Sequence, residues 1–191
     1  MATLNERAEL RRLVMDLAVV RGRVTLASGR QADYYVDLRR VTLHHRAAPL
    51  IGQVLLDQLI AAGYGPERID AVGGLTLGAD PVATALLHAA AARGLCLDAF
   101  VVRKQAKDHG MARRIEGPDI AGRTVVAVED TSTTGGSVLT AVDALREAGA
   151  TVAAVAVIVD RNTGARQTVE AAGLPYLSVF GLQDLELPAT D

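Results

Sequence analysis

The segment 151–159 reads Thr-Val-Ala-Ala-Val-Ala-Val-Ile-Val, with no polar side chain after its first residue. A strand that is half exposed alternates apolar and polar residues, so a run this continuous must be covered on both faces. Shorter apolar runs at 69–73, 97–103, 124–128 and 176–180 read as further strands. Between them, helical spacing appears at 46–62, 79–93, 136–148 and 163–172, and Gly63, Gly94, Gly149 and Gly173 stop these helices. Strands alternating with helices predict an α/β fold whose parallel sheet is flanked by helices on both faces. Ligands of such sheets sit at the carboxyl ends of the strands. The loops after 73, 103, 129 and 159 are therefore where chemistry is expected.

The first 45 residues follow another pattern. Leu10, Leu13, Val14 and Leu17 recur at helical spacing behind Thr3 and Glu6, which read as a capping box, so 4–20 is predicted to be an amphipathic helix ending near Gly22. Short β-like pieces follow around 28–30 and 34–37. No repeat or Pro/Ser-rich linker interrupts the chain, and 191 residues suit a single domain spanning 1–191.

Composition narrows the function. Aromatic residues are 3% with no Trp, too few for base-stacking platforms, and a net charge of −2 gives no field to hold a nucleic acid. Any anion site must be local. The single cysteine, Cys96, excludes an internal disulfide and fits a reducing compartment; it reads as a buried structural thiol. The N-terminus has no signal-peptide core, and no apolar run is long enough to span a membrane, so the expectation is a soluble cytoplasmic protein. His44, His45 and His88 lack metal-ligand spacing and are expected to serve packing or surface.

The segment 125–137, Val-Val-Ala-Val-Glu-Asp-Thr-Ser-Thr-Thr-Gly-Gly-Ser, carries the strongest chemical signal. An apolar strand runs into Glu129 and Asp130, then into the hydroxyl- and glycine-rich turn Thr131, Ser132, Thr133, Thr134, Gly135 and Gly136, and then into a helix. The N-terminus of a helix offers free N–H groups to a phosphate, and paired carboxylates accept hydrogen bonds from vicinal sugar hydroxyls. One turn can therefore hold both ends of a ribose 5-phosphate. The glycine patterns of ATP-binding and dinucleotide-binding loops are absent.

This segment resembles the 5-phosphoribosyl-1-pyrophosphate (PRPP) motif of type I phosphoribosyltransferases, with Glu-Asp where many members carry two Asp. The resemblance implies that Glu129 and Asp130 hold the ribose hydroxyls and that Thr131 to Gly136 cradle the 5′-phosphate. Three further segments are similar to orotate phosphoribosyltransferases. The window 103–114 packs five basic residues into a loop of about 14 residues, a length usually reserved for functional loops. Its Arg103-Lys104-x-x-Lys107-x-His109 pattern resembles the loop that closes over pyrophosphate and reaches a neighbouring subunit. The resemblance thus implies Arg103, Lys104, Lys107 and His109 as PRPP-binding residues, the last three catalytic, in a homodimer with shared sites.

Ser28 and the Tyr34-Tyr35 pair resemble the N-terminal hood that lines the orotate pocket, with residues 1–45 contributing helix and hood; Ala27 stands where the family often has lysine. Arg161, at the end of the 151–159 strand, matches the arginine that contacts orotate, and Thr133 is implied beside it. The loop 73–81 resembles a pyrophosphate-contacting loop but lacks the lysine of several members, leaving backbone N–H groups as its donors. The implied reaction moves ribose 5-phosphate from PRPP to orotate, a step of pyrimidine biosynthesis. It implies Mg²⁺ held mainly by substrate, through water to Glu129 and Asp130 rather than by direct side-chain ligation. Neither nucleic acid nor membrane is expected as a partner. Other phosphoribosyltransferases share the PRPP motif, and a non-catalytic PRPP-sensing regulator is a third reading, disfavoured by the acidic charge and the lack of an added DNA-reading segment.

Overall fold

The computed structural model describes residues 4–25, 31–104 and 114–188. Helix α1 (Leu4–Leu13) passes into a π-helical turn, Val14–Ala18, and the chain then extends as β1 (Val19–Thr25). β1 pairs antiparallel with β2 (Gln31–Val36), with Val19 opposite Val36 and Arg21 opposite Tyr34. The expected helix over 4–20 is therefore too long. Helical periodicity persists to Leu17, but Ala18 turns the chain, its carbonyl accepting from Asp37 N–H at 3.0 Å, and the β-branched pair Val19-Val20 suits the strand that follows. Thr3 of the expected capping box lies outside the described residues.

After the short α2 (Arg39–Thr42) come α3 (Ala47–Ala61), β3 (Ala71–Leu75), α4 (Ala79–Ala91) and β4 (Asp98–Val102). β5 (Ile115–Glu116), β6 (Thr124–Ser132), α5 (Gly136–Glu147), β7 (Thr151–Asp160), α6 (Ala165–Ala171) and β8 (Tyr176–Gly181) complete the order. The sheet runs β5-β4-β3-β6-β7-β8, parallel throughout except for β5, which pairs antiparallel with β4. β6 extends four residues beyond the apolar run because pairing with β7 continues to Ser132 opposite Asp160.

Strand alternation divides the core. Val72, Val126, Val128, Ala154 and Ala156 pack with α1, α3 and α4 on one face, while Ala71, Val125, Ala127, Val155 and Val157 meet α5 and α6 on the other. Every residue of β7 from Ala154 to Asp160 is buried, as a strand covered on both faces requires. Two arginines tether α1 to the C-terminal part of the chain: Arg11 donates to Glu186 at 2.7 Å, and Arg7 reaches the Val179 carbonyl and stacks over Phe180 at 5.0 Å.

Cys96 departs from expectation: it is exposed. It sits in the link between α4 and β4, where Leu97 turns into the core and the two residues before it face solvent. Apolar neighbours in sequence misled the reading, because the link carries no side-chain periodicity. His44 and His45 pack ring to ring at 4.5 Å at the surface, and no group of three or more potential metal ligands forms among the described residues. No helix among the described residues is long and apolar enough to cross a membrane.

Candidate active site

Strand order reverses between β3 and β6: the chain leaves β3 toward β4 on one side and leaves β6 toward β7 on the other. The two loops diverge there and open a crevice at the carboxyl ends of the strands. It forms a cleft of about 580 Å³, and both its acidic and its cationic walls come from strand ends or from the hood.

β6 delivers Glu129, Asp130 and Thr131 to the floor of the cleft, and Thr133 and Ser137 line its rim. Burial pushes the Glu129 carboxyl up to about 7, helped by the adjacent Asp130 charge. Asp130 is also pushed up by burial, although its Oδ1 accepts the Thr131 N–H at 2.8 Å and Arg39 opposes the shift. Two largely buried carboxylates that line an open cleft are primed for groups that donate hydrogen bonds, as sugar hydroxyls do.

The turn beyond them closes with Gly135 at φ +83°, a left-handed conformation that L side chains resist, and α5 begins with no side-chain cap. The first N–H groups of α5 have no side-chain cap, and Ser137 of that first turn lines the cleft, so an anion is favoured there. Ser132 is buried at the end of β6, and Thr134, Gly135 and Gly136 shape the turn without lining the cleft.

Arg161 follows β7, its N–H donating to the Ser132 carbonyl at 3.0 Å, and its side chain lines the cleft. Its Nε is buried with no hydrogen-bond partner among the described residues. An orphaned guanidinium nitrogen beside an open cleft is a donor waiting for a planar anion.

The hood supplies the facing wall. Tyr35, Asp37 and Arg39 line the cleft, whereas Tyr34 turns into the core and donates its hydroxyl to the Pro188 carbonyl at 2.7 Å. Alternation along β2 explains the split, since adjacent residues of a strand point to opposite faces. Thr76, Leu77 and Gly78, after β3, form the third wall.

Lys104 lines the cleft where β4 ends, and Arg103 pairs with Glu116 at 3.4 Å. Arg103 N–H donates to the Arg114 carbonyl at 2.7 Å, so β4 and β5 form the base of a hairpin beside the cleft. Ser28, Ala27, Lys107 and His109 lie outside the described residues. Sequence reasoning did not single out Asp37, Arg39 or Ser137 for the site; the first two form an exposed ion pair of a kind common on any surface, and no local signal marks them.

Comparison with known proteins decides the family. Residues 45–171 match the phosphoribosyl transferase domain model. An orotate phosphoribosyltransferase of Streptomyces coelicolor is 64% identical over 182 residues, covering 95% of this chain and 97% of that one. The chain belongs to the orotate phosphoribosyltransferases. Among solved structures of this family, the Mycobacterium tuberculosis enzyme in complex with Fe(III) dicitrate superposes with a TM-score of 0.86 at 59% identity, covering 95% of this chain and 99% of that one. The same enzyme in complex with PRPP gives 0.82 at 54% identity, with coverage of 95% and 99%. As an orotate phosphoribosyltransferase, the chain has its PRPP-type motif at the topological switch point of the sheet, where the fold gathers ligand groups.

Proposed function

We infer that the chain transfers ribose 5-phosphate from PRPP to N1 of orotate, giving orotidine 5′-monophosphate and pyrophosphate in pyrimidine biosynthesis. The observation that carries this reading is the convergence, in one cleft, of Glu129 and Asp130, the uncapped start of α5 and the orphaned Arg161. Each meets one part of the reactants. The carboxylates accept from the ribose hydroxyls, the turn from Thr131 to Ser137 receives the 5′-phosphate, and Arg161 presents its fork to the orotate carboxylate beside Tyr35 and Thr133.

The bond that breaks joins C1 of ribose to pyrophosphate, whose oxygen takes the electron pair, and the bond that forms joins C1 to N1 of orotate, which loses its proton to water. Positive charge grows on the ribose ring as pyrophosphate departs, and the Glu129 and Asp130 carboxylates of the same cleft stabilise it. The leaving group gathers negative charge, which Lys104 at the cleft mouth is placed to meet. The resemblance assigns Lys107 and His109 the same task, brought in by closure that also keeps water from C1.

Mg²⁺ fits this site as a partner of substrate oxygens. The cleft offers only hard oxygen donors from Glu129, Asp130 and Asp37, and no group of three or more potential ligands among the described residues would hold the ion alone. With substrate bound, Glu129 and Asp130 would hold Mg²⁺ through water, and the ion would supply charge neutralisation for pyrophosphate.

The active form in this reading is a homodimer with shared sites. An apolar groove of about 760 Å³ between α3 and α4, edged by the exposed Leu43 and His45, supports it as a surface for a second copy, and Leu77 is similarly exposed beside the cleft. The exposed free thiol of Cys96 suits the reducing cytoplasm as the place of action.

Pyrophosphate release tests the reaction. With PRPP and Mg²⁺ present, orotate should trigger release while uracil, adenine and hypoxanthine do not. Release with a purine base instead would reassign the pocket, and binding of PRPP without release for any base would favour a regulator.

A further inference from the structure

Three cations line the cleft: Lys104, Arg161 and Arg39. Arg161 faces the base and Lys104 stands where β4 ends, but Arg39 has no part in the assignment so far. It opens α2 with its side chain half-exposed, and its Nε donates to Asp37 Oδ1 at 2.9 Å. The Arg39 backbone N–H reaches the same oxygen at 3.3 Å. Asp37 thus holds one edge of the guanidinium, and both terminal nitrogens are without a hydrogen-bond partner among the described residues. A fork fixed along one edge loses less freedom on binding than a loose side chain, and its remaining donors match two oxygens of a phosphate.

The charge around it shows which phosphate. The wall formed by Thr76, Leu77 and Gly78 belongs to the segment 73–81, which contains no Lys or Arg and has Asp80 as its one charge. A pyrophosphate bound against that wall meets backbone donors but no positive side chain from it. The 5′-phosphate has the start of α5. Arg39 lines the same cleft as Asp130, and its charge opposes the upward shift of that carboxyl, so its guanidinium acts on the space the acids face.

We propose that Arg39, oriented by Asp37, binds the pyrophosphate group of PRPP and supplies the positive side chain that the 73–81 wall lacks. This rests on the transferase reading above. Pyrophosphate leaving from C1 then departs between Arg39 on the hood side and Lys104 on the sheet side, so each end of the cleft contributes one cation to the leaving group.

The test is calorimetric titration of wild type, Arg39→Gln, Arg39→Lys and Asp37→Asn with magnesium pyrophosphate, PRPP, ribose 5-phosphate and orotate, with thermal melts to confirm folding. Arg39→Gln should weaken pyrophosphate and PRPP by about tenfold or more while leaving ribose 5-phosphate and orotate unchanged. Arg39→Lys should recover part of the loss, because the charge stays and the fork goes. Asp37→Asn, which keeps the Arg39 charge but weakens the charge-assisted bond that holds its Nε edge, should fall between wild type and Arg39→Gln. Equal pyrophosphate affinity in wild type and Arg39→Gln overturns the proposal, as does a loss confined to orotate. A wild-type protein that binds pyrophosphate yet turns over no orotate would remove the transferase reading instead.

Discussion

Gly78 and Asp130 meet across the crevice: a β-carbon placed on Gly78 would overlap the Asp130 carboxylate. The close approach joins the loop after β3 to the acid at the end of β6, so the wall proposed to face pyrophosphate also backs the acid proposed to hold ribose.

Gly78 has helical backbone angles, φ −65° and ψ −41°, that any residue adopts. The effect of Gly78→Ala is therefore steric and falls on Asp130. We expect PRPP affinity to drop by about tenfold, from a displacement costing about 1–3 kcal/mol, with a smaller change in melting temperature. Calorimetry with PRPP checks it; affinity equal to wild type would mean that Asp130 is free to move and that the contact positions nothing.

Arg161→Ala removes the donor proposed to meet the orotate carboxylate. Loss of a charge-assisted pair costs about 1.5–3 kcal/mol, so KM for orotate should rise by roughly 10- to 100-fold while the PRPP dissociation constant holds. Steady-state kinetics with each substrate varied in turn separate the two. A matching loss for both substrates would place Arg161 elsewhere in the mechanism.

Glu129 gives a pH signature. Its folded-state carboxyl is raised to about 7 from 4.5, so the native protein holds a proton that the unfolded chain has already released between those values. Stability therefore falls as pH rises from about 4.5 to about 7 and is level in this respect beyond it, an effect on the order of 1–3 kcal/mol for a group this enclosed. Glu129→Gln should flatten that slope in denaturant titrations across the range. In wild type, PRPP affinity should also decline as pH falls below about 7, because the protonated acid accepts fewer ribose hydrogen bonds, and the decline should shrink in Glu129→Gln.

If sites are shared, mixing the impaired variants Lys107→Ala and Asp130→Asn should restore activity, since some sites in mixed dimers combine an intact loop with an intact motif. Recovery toward a quarter of the wild-type rate is the expectation, since half of the subunits pair across types and each such dimer has one good site of two. Mixtures as impaired as their parents would place loop and motif of each site in one subunit.

How much of this was legible in the residues depended on whether burial left a pattern. β7 could be read at once, because only a strand covered on both faces tolerates Val155 to Val159 without a polar break. The PRPP-type turn was legible for a similar reason: two acids followed by hydroxyls and glycines make sense only where backbone and side chains face a polar ligand. β1 was not, since Arg21, Gly22 and Arg23 interrupt its apolar residues and helical spacing ran on from α1 to Leu17. β5 is two residues long and exists by pairing with β4, which no local sequence reports. The Tyr34-Tyr35 pair could be placed on a strand, but which ring faced the cleft depended on how β2 docks. Asp37 and Arg39 stayed hidden because their meaning comes from the distant β6 acids that the fold brings opposite them.

The most direct measurement follows orotate absorbance in the near ultraviolet after PRPP and Mg²⁺ are added, comparing wild type with Asp130→Asn. The account predicts a fall in absorbance with wild type that depends on both PRPP and Mg²⁺, and a rate lower by about a hundredfold with Asp130→Asn, as for loss of a group acting at the transition state. Absorbance that stays constant with folded wild-type protein would contradict the assignment of orotate transfer to this cleft.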